Sequence, residues 1–234
     1  MKPSRTAPRA QRANSPEDSM IDARRRTLIA ASAALAGAAA VPAALAQSEP
    51  VQDRDYRLVK PAQPTEARPG QVEVIEFFWY GCPHCNSLEP LLKEWSAKLP
   101  PDVLLRKVHV PFGDRRHQQL YYTLESMGLA DKLNDVVFRA IHVDGNRLDT
   151  PEKMLGLLSK HGVDKDKFLD TWKSFTVRTK MSRGAQLTQA YGVDGVPAMA
   201  VAGKYYTAPS LVGSNAGALQ VIDWLVQKER QSGK

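Results

Sequence analysis

The chain has 234 residues, 43% of them apolar, which is enough for one or two domains with a sizeable buried core. Its formal net charge is +7, but seven Lys/Arg and three Asp/Glu lie in the first 46 residues, so the remainder carries about +3. This small charge argues against a nucleic-acid partner, and the presence of only two cysteines excludes a fold that depends on a disulfide framework.

The first 46 residues have the pattern of a secretory signal peptide. Residues 1–26 are polar and basic, the Ala-rich stretch from Thr27 to Ala46 is apolar, and Ala44-Leu45-Ala46 forms a small-x-small cleavage pattern. About twenty apolar residues would also just span a bilayer, so a membrane anchor is the alternative. The alanine content, Pro42 and the cleavage pattern favour the signal peptide.

The basic segment before the apolar stretch is unusually long, which makes Met20 a possible true start. The segment Arg25-Arg26-Thr27-Leu28-Ile29 loosely matches a twin-arginine signal, but a Sec-type signal fits better. No cysteine lies near the cleavage point, so we do not expect a lipoprotein. The pattern predicts an exported protein whose mature chain begins at Gln47.

The first predicted elements of the mature chain surround a Cys-Pro-His-Cys box. Tyr56–Val59 is a candidate short strand, and a turn-rich segment connects it to the apolar run Val74–Phe78, which predicts a buried strand. The box, residues 82–85, follows Gly81, and the apolar spacing after it predicts a helix. Both cysteines therefore lie where a strand turns into a helix, and Pro83 suits the first helical turn.

The next elements complete a strand–helix–strand unit. Pro90 is expected to kink or break the first helix, which should end by Leu99-Pro100-Pro101. Val103–Val110 is predicted to be a second strand. A strand, a helix and a further strand in this order favour parallel pairing of the two strands.

The second half of the chain is predicted to be helical and then to return to the sheet. Residues 114–189 show helical spacing and no clear strand. Tyr191–Val201 has a strand pattern, and Val201–Tyr205 is predicted to be the turn of a hairpin. Asn215–Gln227 is predicted to be a closing helix, so the fold class is α/β.

The predicted position of Cys82 at a helix start determines its reactivity. The thiolate is the reactive form of cysteine, and its unperturbed pKa is about 8.5. The helix dipole lowers that pKa by about one unit, and His84 together with the free N–H groups of the first turn lowers it further. A stabilised thiolate favours the dithiol over the disulfide, so the pair is predicted to be a disulfide donor rather than a reductant.

The box, the strand before it and the order of the later elements resemble the DsbA family of thiol:disulfide oxidoreductases of the bacterial periplasm. The resemblance spans roughly residues 50–230 and implies a thioredoxin-like fold with an inserted helical domain. On this interpretation residues 47–113 and 190–234 form the thioredoxin-like domain, and residues 114–189 form the insertion.

The box supplies the expected catalytic pair. Cys82, expected to be exposed at the helix start, is the nucleophile, and Cys85, one turn later and partly shielded, is the resolving thiol that releases a mixed disulfide. Pro83 and His84 are expected to tune the pair, although His84 could simply be a solvated residue. A structural disulfide closing a four-residue loop is one alternative for the box. A zinc site is another, but it lacks a second cysteine pair.

Substrate binding is assigned to Val196 and Pro197 by the resemblance. In the superfamily the matching X-Pro bond is cis and lies against the disulfide, and the backbone of the preceding residue can pair with an extended substrate chain. An X-Pro bond is cis in only about 5–6% of cases, so the sequence alone leaves a trans proline at a strand start as the alternative.

Glu76 is an acid within an otherwise apolar strand. If it is buried its pKa should rise, and it could relay protons for Cys85. Lys107 matches the family position that partners this acid, and a solvent-reaching Glu76 is the alternative. For His109, in the second strand, a hydrogen-bonded structural role is at least as well supported as a functional one.

Together these observations predict a periplasmic dithiol oxidase that donates the Cys82–Cys85 disulfide to newly exported proteins with cysteines. The resemblance implies reoxidation by a DsbB-like, quinone-linked membrane partner. We expect a monomer that uses no metal, no organic cofactor and no nucleic acid. Two alternatives stay open: a disulfide isomerase or reductase of the same superfamily, and a chaperone-like peptide-binding module.

Overall fold

A mixed five-stranded sheet lies at the centre of the computed structural model, which describes residues 49–232. Along the sheet the strand order is β1-β5-β4-β2-β3. The strands are β1 (Arg57–Leu58), β2 (Val72–Phe78), β3 (Val103–His109), β4 (Ala198–Val201) and β5 (Tyr205–Thr207). Every residue of β2 is buried, as predicted for an apolar strand covered on both faces.

The helix that follows the box, α1 (Pro83–Ser96), runs through Pro90 without ending there, so of the two expected effects of Pro90, a kink or a break, the break is wrong. A proline inside a helix costs roughly 3 kcal/mol, since it removes one hydrogen bond and crowds the preceding turn. Leu88 and Leu92, on either side of Pro90, are both 1% exposed in the core beside the sheet. Burial of each leucine is worth roughly 1.5–3 kcal/mol, which offsets that cost.

The predicted strand–helix–strand unit is confirmed, since β2 and β3 pair in parallel. In this register Glu76 lies opposite Lys107, which places the acid and the base side by side on neighbouring strands. The predicted hairpin is also confirmed, because β4 pairs with β5 and, on its other side, with β2, both antiparallel.

Five helices and one 3₁₀ turn, Ser159–His161, lie between β3 and β4, which confirms the helical expectation for this segment. A short helix, α7 (Pro209–Val212), and a long closing helix, α8 (Asn215–Ser232), follow β5. The helices before β4 are α2 (Arg115–Ser126), α3 (Ala130–His142), α4 (Pro151–Leu158), α5 (Lys165–Lys173) and α6 (Phe175–Ala190). The described residues belong to a single compact unit, so the boundaries of an inserted domain stay a prediction.

The predicted signal peptide over residues 1–46 and the possible start at Met20 lie outside the described residues. Between residues 49 and 232, no helix is long and apolar enough to cross a membrane.

The end of β2 joins the sheet to the helical segment through aromatic side chains. Phe78 contacts Tyr121 and Phe138 with ring centroids 5.0 and 6.0 Å apart, and Tyr80 contacts Phe138 at 5.1 Å. Both cysteines belong to this same buried cluster. The Cys-Pro-His-Cys box is therefore held between the sheet and the helical segment.

A matched pair of helical glycines tests the packing of α6. A Cβ added at Gly184 would lie 2.2 Å from the hydroxyl of Tyr122 and 3.3 Å from the carbonyl oxygen of His109, whereas Gly156 in α4 has open space. We expect Gly156→Ala to stabilise the protein by about 0.5–1 kcal/mol through helix propensity. Gly184→Ala should destabilise it by about 1–2 kcal/mol through overpacking. Urea unfolding measures both, and a Gly184→Ala variant as stable as the wild type would contradict this packing.

Candidate active site

Cys82 is the residue that caps the N-terminus of α1. It has an extended backbone with φ −89°, Pro83 follows at the first helical position, and the N–H of Cys85 donates to Cys82 Sγ at 3.4 Å. This is the geometry that the sequence predicted for the strand-to-helix junction. The two cysteines are free thiols in this structure.

The expected exposure of Cys82 is wrong, since the residue is only 7% exposed. The loop before β4 covers it, and the carbonyl oxygen of Val196 lies 3.3 Å from Cys82 Sγ, where it can accept from the thiol but not from the thiolate. Cys85 is fully buried one turn further along α1. An attacking sulfur therefore reaches Cys82 rather than Cys85.

The surroundings of Cys82 lower its pKa to about 6. The largest cause is a hydrogen bond from the Cys85 thiol; burial opposes the change, and the N–H groups of Cys85 and His84 contribute further. The charge of His84 is the smallest of the favourable causes, and its side chain is exposed. The helix start therefore acts mainly through hydrogen bonds to sulfur, with the imidazole as a lesser contributor.

Cys85 has the opposite environment. Burial raises the pKa of its thiol far above the ordinary range, and the neighbouring Cys82 and the charge of Glu76 raise it further. In the reduced pair Cys82 is therefore the thiolate and Cys85 the thiol that donates to it.

The peptide bond between Val196 and Pro197 is cis and leads directly into β4. Beside it lies a cleft of about 470 Å³. His84, Val196, Pro197 and Tyr206 are among the residues that line this cleft. The structure thus brings the box and the predicted substrate-binding residues together around one opening.

Glu76 is fully buried, so the solvent-reaching alternative for this residue is wrong. Its Oε2 lies 3.1 Å from Nζ of Lys107, the partner that the resemblance implied. Lys107 also donates to both carboxylate oxygens of Glu89, at 2.6 and 2.8 Å. The amide of Asn134 on α3 donates to Glu89 Oε1 at 2.6 Å. One ammonium group is thus shared between two carboxylates, a cluster that we call the buried charge cluster.

Burial raises the pKa of Glu76 to about 7; the charge of Lys107 opposes this change and the charge of Glu89 reinforces it. Burial alone would lower the pKa of Lys107, but the two carboxylates raise it to about 12. Glu89 receives three hydrogen bonds and Glu76 receives a single contact, so Glu76 is the member of the buried charge cluster that takes up a proton near neutral pH.

Sequence reasoning missed Glu89 and Asn134. Glu89 lies four residues after Cys85, on the same side of the helix, and this spacing was a usable signal. Asn134 comes from α3, and nothing in its local sequence marks it.

His109 is fully buried at the end of β3, and its Nε2 accepts the N–H of Tyr80 at 3.2 Å. Burial lowers the pKa of His109 to about 3, which keeps its ring neutral. The sequence left a structural and a functional role open for His109, and these contacts support the structural role. Within residues 49–232, no group of three or more His, Cys, Asp or Glu side chains is placed to hold a metal ion.

Comparison with known proteins agrees with this geometry. A family model described as a DSBA-like thioredoxin domain matches residues 113–216. The thiol:disulfide interchange protein DsbA of Azotobacter vinelandii is 42% identical over 193 residues, covering 80% of this chain and 90% of that protein. The protein of the same name from Pseudomonas aeruginosa is 44% identical over 170 residues, covering 72% and 81%.

Solved structures agree as well. The crystal structure of Pseudomonas aeruginosa DsbA superposes with a TM-score of 0.74 at 40% identity, covering 78% of this chain and 96% of that one. NmDsbA1 from N. meningitidis superposes with a TM-score of 0.67 at 27% identity. With relatives this similar over most of its length, and with a thioredoxin-like fold built around its Cys-Pro-His-Cys box, the chain belongs to the DsbA family of thiol:disulfide oxidoreductases.

Proposed function

We propose that the chain is a periplasmic dithiol oxidase that donates the Cys82–Cys85 disulfide to newly exported proteins. The observation that carries this proposal is the low pKa of Cys82, about 6, beside a Cys85 whose pKa is raised. A thiolate that is stable at neutral pH favours the dithiol over the disulfide, and the disulfide is therefore readily given up. Membership of the DsbA family supports the same reaction.

The reaction proceeds in two exchanges. A client thiolate attacks Cys82 Sγ, the bond between the two protein sulfurs breaks, and Cys85 leaves with the electron pair and takes up a proton. The client's second thiolate then attacks the client sulfur of the mixed disulfide, and Cys82 leaves as a thiolate. The client loses two electrons and becomes a disulfide, and the protein gains them as a dithiol. The low pKa makes Cys82 a good leaving group in the second step.

The buried charge cluster supplies the proton that Cys85 needs in the first exchange. Cys85 is fully buried, and a thiolate there would be strongly destabilised. Glu76 is close enough for its charge to raise the pKa of Cys85, and with its own pKa at about 7 it can hold or release a proton at the working pH. While Glu76 is protonated the charges of Lys107 and Glu89 balance each other, and after Glu76 releases its proton the Lys107 ammonium group faces both carboxylates.

Val196 and Pro197 hold the client chain beside Cys82. The Val196 carbonyl already reaches Cys82 Sγ at 3.3 Å, so a chain that pairs with the Val196 backbone brings its own sulfur to the reacting atom. Pro197 has no N–H and therefore offers no competing donor next to the sulfurs. His84, which lines the same cleft, and Pro83, the first residue of α1, tune the pair.

The proposal also includes export of the chain, its domain organisation, its reoxidation and its oligomeric state. The signal peptide, residues 1–46, would deliver the chain to the periplasm. Residues 47–113 and 190–234 would act as the thioredoxin-like domain, with residues 114–189 as its helical insertion. A DsbB-like quinone reductase in the membrane would reoxidise the dithiol. The protein would work as a monomer, with its own disulfide in place of a cofactor.

Replacing Cys82 and replacing Cys85 are expected to have different effects on disulfide exchange. With a reduced, unfolded protein that has one cysteine pair, the wild type should transfer about one disulfide per chain, and Cys82→Ser should transfer none. Cys85→Ser should also transfer none, because it cannot form the disulfide. Mixed instead with a client that carries a disulfide, its Cys82 thiolate should displace one client sulfur and accumulate as a mixed disulfide, because the resolving thiol is missing. Thiol counting and intact-mass analysis measure these outcomes.

The same experiment separates the alternatives. If the wild type and Cys82→Ser suppress aggregation equally well, and the wild type transfers no disulfide, the protein is a peptide-binding module. A wild type that instead reduces or reshuffles client disulfides at a glutathione poise typical of oxidising compartments is a reductase or isomerase. Either result would contradict the oxidase.

The buried charge cluster makes a separate prediction through Glu89. In Glu89→Gln, Lys107 would pair with Glu76 alone and the repulsion between two carboxylates would vanish, so the pKa of Glu76 should fall from about 7 by at least about one unit. Carboxyl ¹³C NMR of the reduced protein over pH 4–9 reports this titration. Glu94→Gln, an exposed change on the same helix, is the control and should leave Glu76 unchanged. An unaltered Glu76 titration in Glu89→Gln would show that the two acids are not coupled.

A further inference from the structure

Tyr80 lies two residues before Cys82, and histidine rings hold both polar groups of its backbone. Its N–H donates to Nε2 of His109 at 3.2 Å, and its carbonyl oxygen lies 2.7 Å from Nε2 of His142. His109 ends β3 and His142 ends α3, so the sheet and the helical segment hold the same residue from opposite sides. The mechanism described above uses neither ring.

The atom that each histidine nitrogen faces shows which nitrogen carries a hydrogen. Nδ1 of His109 faces the carbonyl oxygen of Val110 at 2.9 Å and must carry a hydrogen, which leaves Nε2 as the acceptor for Tyr80. A carbonyl oxygen only accepts, so Nε2 of His142 carries a hydrogen and donates to Tyr80. That nitrogen is protonated in one neutral tautomer and in the cation, so the bond survives a change in the charge of His142.

The ring of His142 is itself held in place. It stacks on Phe138, one turn earlier in α3, with ring centroids 6.0 Å apart and an angle of 26° between the planes. Phe138 is 2% exposed and packs against Tyr80, whose side chain is fully buried. The helical segment therefore presents a fixed donor to the loop that carries Cys82.

The loop between Tyr80 and the box is short and closely packed. Gly81 is the single intervening residue, and it lies so close to the ring of Trp79 that a Cβ there would be 2.4 Å from a ring carbon. The N–H of Cys82 donates to the carbonyl of Trp79 at 2.9 Å. A shift of the Tyr80 carbonyl is therefore passed directly to the residue that bears the reacting sulfur.

We propose that His142 is a positioning residue of the disulfide exchange: by holding the Tyr80 carbonyl, it keeps Cys82 Sγ within reach of the N–H groups at the start of α1. This inference rests on the proposed oxidase function and deepens it, because it assigns to the helical segment a direct part in stabilising the reactive thiolate. The distance at stake is the 3.4 Å between Cys82 Sγ and the Cys85 nitrogen. Hydrogen bonds to a charged sulfur weaken steeply as they lengthen.

Three variants test the proposal. His142→Leu removes the donor, His142→Gln keeps an N–H donor of similar reach, and His161→Leu changes an exposed histidine of the same segment as a control. His142 is partly exposed, so its variants should fold. The readouts are the thiolate absorbance of the reduced protein at 240 nm against pH, the equilibrium with glutathione, and the melting temperature.

In His142→Leu we expect the pKa of Cys82 to rise by about 0.5–1 unit and the glutathione equilibrium to move about three- to tenfold toward the protein disulfide. His142→Gln should restore most of both values, and His161→Leu should match the wild type. An unchanged thiolate titration in His142→Leu, with or without a lower melting temperature, would overturn the proposal, and so would a Gln variant that behaves like Leu. A wild type with an ordinary cysteine pKa would instead overturn the oxidase function, whatever the variants do.

Discussion

The hydrogen bonds that converge on the sulfur of Cys82 are the interaction on which the rest of the site depends. They require a thiol at Cys85 that stays protonated and an N–H in the first turn of α1, 3.4 Å from the sulfur. Both come from the same helical turn, so the Cys-x-x-Cys spacing supplies the thiolate and its stabilising donors together. In the disulfide these bonds are lost, and this difference makes the oxidised form the less stable of the two.

The buried charge cluster affects the second cysteine of the pair, Cys85. A protein that keeps Cys85 protonated in a dry interior needs a nearby group that can exchange protons near pH 7. Glu76 meets this need because it is fully buried and shares one lysine with a second carboxylate. Removing one partner of a buried ion pair leaves an uncompensated charge in the interior. The charged side chains from β2, β3 and α1 therefore each lie within hydrogen-bonding distance of a partner.

Much of the fold could be predicted from the sequence, because the apolar spacing within each segment indicates whether it forms a strand or a helix. The strand-to-helix junction at Cys82, the parallel β2–β3 pair and the helical segment were all predicted, and the Glu76–Lys107 contact came from the resemblance. What failed depended on contacts between distant parts of the chain. Cys82 is buried because the loop at Val196 lies over it, and α1 continues through Pro90 because tertiary packing outweighs local propensity.

The equilibrium between the cysteine pair and glutathione, measured from pH 5 to pH 8, shows whether the reduced protein holds Cys82 as a thiolate. Reduction releases one proton wherever the folded dithiol holds Cys82 as a thiolate. With the pKa at about 6, the equilibrium constant for reduction should rise about tenfold per pH unit above pH 6 and stay level below it. At pH 7 the dithiol should predominate at a glutathione poise typical of oxidising compartments. A constant that stays level up to about pH 8, with the pair remaining oxidised, would mean that Cys82 has an ordinary cysteine pKa and that the protein is not a disulfide donor.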